Sequence, residues 1–218
     1  MTDRRQYGQL CGLAAALDVI GERWTLLVVR ELLTSPARFN EILENLPGMG
    51  PNLLSERLRT LAALGVIEQC PVPGDGRGKM YRLTPAGEML RGPVLDLARW
   101  GLQFLTATDV QTGVSRASWG FLAVQAMIAG RQVPDVEESY EFQVDAEVFH
   151  IEVGGGKSIA SRGPATDAAI VVTTDATTFV QIGSRMLSPF QAVVTGRLKI
   201  DGDPDAIVRC TDLMGLAV

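Results

Sequence analysis

Apolar positions recur with helical spacing over the first hundred residues. Leu10, Leu13, Leu17 and Ile20 fall on one helical face, Gly21 interrupts the pattern, and Trp24–Leu33 forms a second helix that Ser35-Pro36 ends. A short amphipathic helix over 37–46 turns Phe39, Ile42, Leu43 and Leu46 inward, and Pro47-Gly48-Met49-Gly50 is a turn. The next helix, about Pro51 to Leu64, has Pro51 at its first position, where a missing N–H costs nothing. Leu54, Leu58 and Leu61 face the core there, with Asn52, Glu56, Arg59 and Ala63 opposite and Ser55 and Thr60 flanking. Strands follow at Ile67–Pro71 and Met80–Leu83, joined by a flexible loop, 73–79, that carries Arg77 and Lys79. Thr84-Pro85 caps a further helix, which Pro93 breaks or kinks before it resumes over Leu95–Leu105.

This order of elements is a winged helix-turn-helix. The short helix buttresses the next one, and that helix presents its polar face to a major groove about 12 Å wide. Asn52, Ser55 and Arg59 would reach base edges, with Pro51 at the helix start. Arg57 sits at the side boundary, toward phosphate or a neighbouring helix. Arg38, Arg77 and Lys79 would hold the DNA backbone.

The second half has a different pattern. Thr106–Gly113 is a polar, linker-like stretch, and Ala117–Ala129 is an apolar helix. Tyr140–Phe149 alternates as one half-buried antiparallel strand, and Val153–Ile159 turns a hairpin. Ala168–Thr173 is a buried strand, Thr177–Arg185 a helix, and Ala192–Val194 and Arg197–Ile200 are strand-like. Asp203 caps a final helix through Leu216, with Pro204 at its first position. The expected fold class is α+β, with units over 1–107 and 115–218.

Composition changes the picture in one respect. The 218 residues carry a net charge of −5, which by itself argues against a nucleic-acid partner. Residues 1–104, however, hold 12 Lys+Arg against 11 Asp+Glu, whereas 105–218 hold 8 against 14. The acidity lies in the second half, and the motif-bearing half is nearly neutral. No apolar run reaches the ~18 residues of a membrane span, and Met1–Arg5 is not followed by a signal-type segment, so a cytoplasmic protein with no membrane partner is expected.

Candidate chemistry is sparse. Cys11, Cys70 and Cys210 are odd in number and far apart, and with His150, the only histidine, they lack the local spacing of a metal site. No metal and no cofactor are expected. Gly154-Gly-Gly-Lys-Ser158 lacks the leading glycine of a phosphate loop, because position 151 is Ile151, and it is read as a turn. His150 lies in an alternating strand and is read as a surface or satisfied strand histidine. No nucleophile–base arrangement survives inspection, so an enzyme is not expected.

Leu17-Asp-Val-Ile-Gly-Glu-Arg-Trp-Thr-Leu-Leu, Arg38-Phe-Asn-Glu-Ile, Leu54-Ser-Glu-Arg-Leu-Arg-Thr-Leu, Tyr81-Arg-Leu-Thr-Pro-Ala-Gly87 and Trp100 together resemble the HxlR-type transcriptional regulators over about residues 10–105. The sequence departs from that family at Glu22-Arg23, where the usual pair is Gly-Lys, and in a longer, glycine-richer wing. The resemblance implies double-stranded DNA as partner and a homodimer built from terminal helices around 10–20 and 94–106. It also implies a possible thiol switch at Cys11, for which the alternative is a buried, inert cysteine.

Asp167-Ala-Ala-Ile-Val-Val-Thr-Thr-Asp175, Leu187-Ser-Pro-Phe-Gln-Ala192 and Gly196-Arg-Leu-Lys-Ile-Asp-Gly-Asp203 resemble the sterol carrier protein type-2-like fold over about 115–216. That resemblance implies an apolar cavity for a hydrophobic or lipid-like small molecule. Trp119, Met127, Met186, Leu187, Phe190 and Met214 are candidate liners, with ordinary core as the alternative. The combined expectation is a DNA-binding repressor with a hydrophobic effector. A lipid or hydrophobic-metabolite carrier is the other reading.

Overall fold

The computed structural model describes residues 6–216, and two compact units divide between Val94 and Leu95. The expectation made for Met1–Arg5 falls outside the described residues.

The first unit begins with α1 (Gly12–Ile20), α2 (Thr25–Thr34), α3 (Phe39–Asn45) and α4 (Pro51–Ala63). Its core takes in Ile42, Leu46 and the α4 leucines that the spacing selects, while Phe39 and Leu43 are half-buried. Val28, Val29, Leu32 and Leu33 of α2 are buried with Ile42, Leu46, Leu54, Leu58 and Leu61. One carboxylate braces the helix pair: Glu31, 2% exposed, accepts from Arg30 Nε at 3.0 Å and from Asn45 Nδ2 at 3.0 Å, tying α3 to α2. Strands β1 (Ile67–Val72) and β2 (Asp75–Leu83) pair antiparallel.

The expected seven-residue wing loop is instead a two-residue turn, Pro73-Gly74, with Arg77 and Lys79 on β2 itself. The glycines admit a bulge there. The Asp75 carboxylate accepts the N–H groups of Arg77 and Gly78 at 3.1 and 2.9 Å, and the register shifts beyond Pro71.

Thr84 caps α5 (Pro85–Glu88), its Oγ1 accepting from Gly87 N at 3.2 Å. Gly87 is required, because a Cβ would lie 2.1 Å from the Val66 carbonyl oxygen. The helix breaks at Met89-Leu90, before Pro93. Pro93 falls in the first turn of α6 (Arg91–Gly101), where proline is tolerated.

The second unit continues from α6 through a 3₁₀ turn at Leu102–Phe104. The expected linker is α7 (Ala107–Thr112), nucleated by a capping box between Thr106 and Asp109. Then come α8 (Ala117–Ile128), β3 (Glu138–Val144), β4 (Glu147–Gly154), β5 (Lys157–Arg162), β6 (Ile170–Thr174), α9 (Ala176–Gly183), α10 (Pro189–Val194), β7 (Leu198–Gly202) and α11 (Pro204–Leu213). The sheet order is β5-β4-β3-β6-β7, parallel only between β3 and β6.

Two further expectations change here. Tyr140–Phe149 is a hairpin rather than one strand. Asp145 takes φ 48° in a two-residue turn, a conformation Asp tolerates, and its carboxylate accepts from Ala176 N at 3.2 Å. Ala192–Val194 is the end of α10, because the Ser188 capping box and Pro189 at the first position outweigh the strand preference of Val193-Val194.

Tyr140, Phe142, Phe149, Ile151, Ile170 and Val172 form the apolar sheet face and share a core with α8, α9 and α11. Phe142 stacks on Phe149 at 5.6 Å, and Phe179 meets both edge-on at 6.2 Å. His150 is buried, with Nδ1 2.9 Å from the Gly163 carbonyl oxygen, as its reading as a satisfied strand residue requires.

Candidate nucleic-acid interface and apolar cavity

Burial of Leu54, Leu58 and Leu61 determines what α4 shows to solvent. Pro51, Asn52, Glu56 and Arg59 are exposed and Ser55 is half-buried. Asn52 and Arg59 lie seven residues apart, so they stand two turns apart on one face. Arg59 has no carboxylate partner among the described residues, and neither have Arg77 and Lys79 on the hairpin. Three cations and an amide therefore remain available to an anionic partner.

The other two arginines are differently engaged. Arg38 precedes α3, its backbone N–H donates to Glu41 Oε2 at 2.6 Å, and its exposed guanidinium lies 3.2 Å from Asp75. The Asp75 carboxyl is held below the usual carboxylate range by the Arg77 and Gly78 N–H groups first and by Arg38 after them. Arg57 has only 12% of its side chain exposed. It donates to Glu22 Oε2 at 3.2 Å, to the Arg23 carbonyl at 3.3 Å and to Glu56 Oε1 at 3.2 Å. It is the least accessible of the four candidate arginines.

On α1, Leu13 and Leu17 are exposed, as are Tyr7 and Leu10 ahead of it. Cys11 is the residue before the helix and is exposed. The backbone N–H groups of Ala14 and Leu13 lower its thiol pKa. Exposure and a lowered pKa are the two conditions for thiol reactivity.

In the second unit an apolar cavity of about 50 Å³ lies among Met127, Phe142, Phe179, Ile182, Cys210 and Met214. Of the six expected liners, Met127 and Met214 border it. Trp119 is half-buried on α8, Leu187 packs on the core, Met186 is at the surface and Phe190 is 76% exposed on the outer side of α10. Their chemistry suits a cavity, but α10 turns Phe190 away from it. Phe142, Phe179 and Ile182 were missed because strand alternation and helix spacing mark core without distinguishing core from cavity wall.

The wall formed by α11 is fastened by an ion pair. Arg209 Nε and Nη2 reach Glu138 Oε1 and Oε2 at 2.7 and 2.6 Å, and Tyr140 Oη donates to Glu138. The Arg209 hydrogen bonds hold the Glu138 carboxyl below its ordinary pKa. Cys210 Sγ lies 3.9 Å from Met214 Sδ, and burial, then the Glu138 charge, push its thiol pKa up.

The glycine run after Val153 behaves as a turn. Gly155 N donates to Glu137 Oε1 at 2.9 Å, beside Glu152 and Asp167 in an acidic surface groove, a setting that repels phosphate.

The HxlR-like helix-turn-helix family matches residues 19–109, and the SCP-2 sterol transfer family matches residues 125–214. An uncharacterized HTH-type transcriptional regulator of Mycobacterium tuberculosis is 41% identical over 90 residues, 41% of this chain and 56% of that relative. The chain thus spans little more than half the length of the mycobacterial relatives it matches. The HTH-type transcriptional regulator YodB of Bacillus subtilis is 30% identical over 97 residues, covering 44% of this chain and 87% of YodB. The solved reduced form of YodB aligns with a TM-score of 0.39 at 30% identity, over 44% of this chain and 95% of that one.

Proposed function

Because the chain belongs to the HxlR-like helix-turn-helix family, we propose that it is a non-catalytic, DNA-binding transcriptional regulator acting in the cytoplasm. The observation that carries this reading is the exposed face of α4 with Asn52 and Arg59 on it, in a unit whose hairpin also exposes Arg77 and Lys79, which have no carboxylate partner among the described residues. In a major groove, Asn52 pairs with adenine and Arg59 with guanine, each good bidentate contact worth ~1–3 kcal/mol of discrimination. Arg77 and Lys79 meet backbone phosphate or the adjacent minor groove, and Arg38 exchanges Asp75 for phosphate. The working unit is a homodimer in which a second copy covers Leu10, Leu13 and Leu17. Its operator is a palindrome with half-sites about one turn, ~34 Å, apart. Bound there, the dimer represses by occluding polymerase. Enriching random duplexes on the purified protein should yield that palindrome; a pool without sequence preference would end this reading.

The effector is a hydrophobic small molecule held by the second unit. Apart from Thr211, whose hydroxyl donates to the Ile207 carbonyl, the lining side chains are apolar or sulfur-bearing, and such a void stays dry when empty. At about 50 Å³ it is far smaller than the ~300–1,000 Å³ of ordinary ligand sites. Binding therefore requires the wall to open. Native mass spectrometry of the purified protein should show a dimer with an apolar adduct; a ligand-free species after incubation with fatty acyl and sterol probes would remove the effector from the proposal.

Exposed Cys11, with its lowered pKa, favours a second input, a thiol switch beside the dimer face. If Cys11→Ser retains full oxidant sensitivity of DNA binding, that input is excluded.

A further inference from the structure

We propose that Arg57 is a positioning residue, a strap that sets the angle of the DNA-reading helix α4 against α1, and that Glu22 is its partner. The inference rests on the DNA-binding reading above and goes beyond it, because it removes one arginine of α4 from the DNA contacts and gives it a role through another element.

The geometry carries the argument. A phosphate-binding arginine keeps its guanidinium in solvent, whereas that of Arg57 is nearly covered and fans out to three oxygens. Two of them, Glu22 Oε2 and the Arg23 carbonyl, belong to the corner between α1 and α2. That corner is conformationally unusual: Trp24, which follows the bonded carbonyl, takes φ 77°, a left-handed conformation that costs a bulky residue free energy and needs external support. Arg57 supplies one support. The Trp24 ring supplies another, since a Cβ added to Gly48, in the turn before α4, would sit 3.7 Å from it. The corner is thus held to α4 at its approach and at its middle.

Glu22 connects this to the sequence. Glu22 lies outside α4 and 35 residues from Arg57, so the ion pair ties the corner to the reading helix. Its consequence is mechanical. The exposed leucines at the start of the chain are where a second copy docks in the proposed dimer, so the α1–α4 angle determines how far apart the two reading helices lie. A stiff angle makes the protein selective for half-site spacing.

The test uses the full-length chain and a duplex enriched by it from a random pool, together with versions of that duplex whose half-sites are one base pair closer or farther apart. Arg57→Lys keeps the charge but cannot span three acceptors from a fork. Glu22→Ala removes an exposed carboxylate and leaves the residues of α4 unchanged. Each should lower affinity for the enriched duplex about five- to tenfold, within the range of coupling between contacting residues. Each should also flatten the preference among spacings, leaving random-duplex affinity within about twofold and the salt slope unchanged. The double variant should be no weaker than Arg57→Lys alone.

The inference is overturned if Arg57→Lys matches the unaltered chain. It is also overturned if Arg57→Ala weakens all duplexes evenly and reduces the salt slope by about one ion, the signature of a phosphate contact. Glu22→Ala, which does not touch the core, keeps the test decisive should an Arg57 variant fold poorly. If the unaltered chain selects no duplex, the DNA-binding reading fails and takes this inference with it. If selection is intact but spacing preference survives in both variants, only the strap fails.

Discussion

In the first unit the residues of interest point outward from a filled core, while in the second they close on one another around an unfilled one. The α4 face exists because Leu54, Leu58 and Leu61 occupy one side of a helix and leave Asn52 and Arg59 on the other. The cavity exists because a sheet and helices α8, α9 and α11 bring Met127, Phe142, Ile182 and Met214 together without quite filling the space. A reading face is thus a local property of one element, and a cavity is a property of an assembly. The two respond differently to substitution.

The largest expected effect tests the assembly. Phe149→Ala removes the ring at the centre of the aromatic cluster and should cost about 3–5 kcal/mol in denaturant unfolding of the second unit. Binding to the enriched duplex, measured well below the transition, should persist; its loss would break the separation between the two regions. Next, Arg209→Ala leaves Glu138 without its main partner and should lower the denaturant midpoint of the second unit at neutral pH.

The pH dependence follows with a definite sign. The folded-state pKa of Glu138 lies below its unfolded value, so its contribution is complete above the ordinary carboxylate range and is lost as pH falls through the folded value. In Glu138→Gln that part of the acid limb should be missing; an unchanged limb would show that the pair does not hold α11.

On the reading face, Arg59→Ala should lose about 1–3 kcal/mol of discrimination at one operator position with no change in unfolding. Equal losses at every position would make Arg59 a phosphate contact. Thr84→Ala should cost about 1 kcal/mol of first-unit stability through its lost cap. The smallest effect is kinetic: alkylation should label Cys11 first and Cys210 last, since one thiol is exposed with a lowered pKa and the other is buried with a raised one.

Much of this architecture was legible because it obeys short-range rules. Pro51, Thr84-Pro85 and Asp203-Pro204 start helices where caps and N1 prolines must. The leucine row of α4 identified its solvent face before any tertiary contact was known. The family-specific runs identified both matched families. The wing, the linker, the Asp145 turn and α10 were misjudged where a local hydrogen bond decided between conformations of similar propensity. The Asp75 and Asp145 carboxylates and the Thr106 and Ser188 capping boxes each made that decision.

The sequence by itself determined which faces of the helices are apolar, where those helices begin, and that acidity concentrates in the second half. Those features depend on residues a few positions apart, whose geometry the backbone repeat dictates. Only the tertiary structure decided that Arg57 turns to Glu22, 35 residues away, rather than to solvent. It alone showed that Glu138 and Arg209 meet across 71 residues, that Cys11 is exposed, and that Phe190 leaves the cavity to Phe142, Phe179 and Ile182. Those outcomes depend on which distant surfaces pack together, and periodicity records that a side chain is buried without recording what it is buried against.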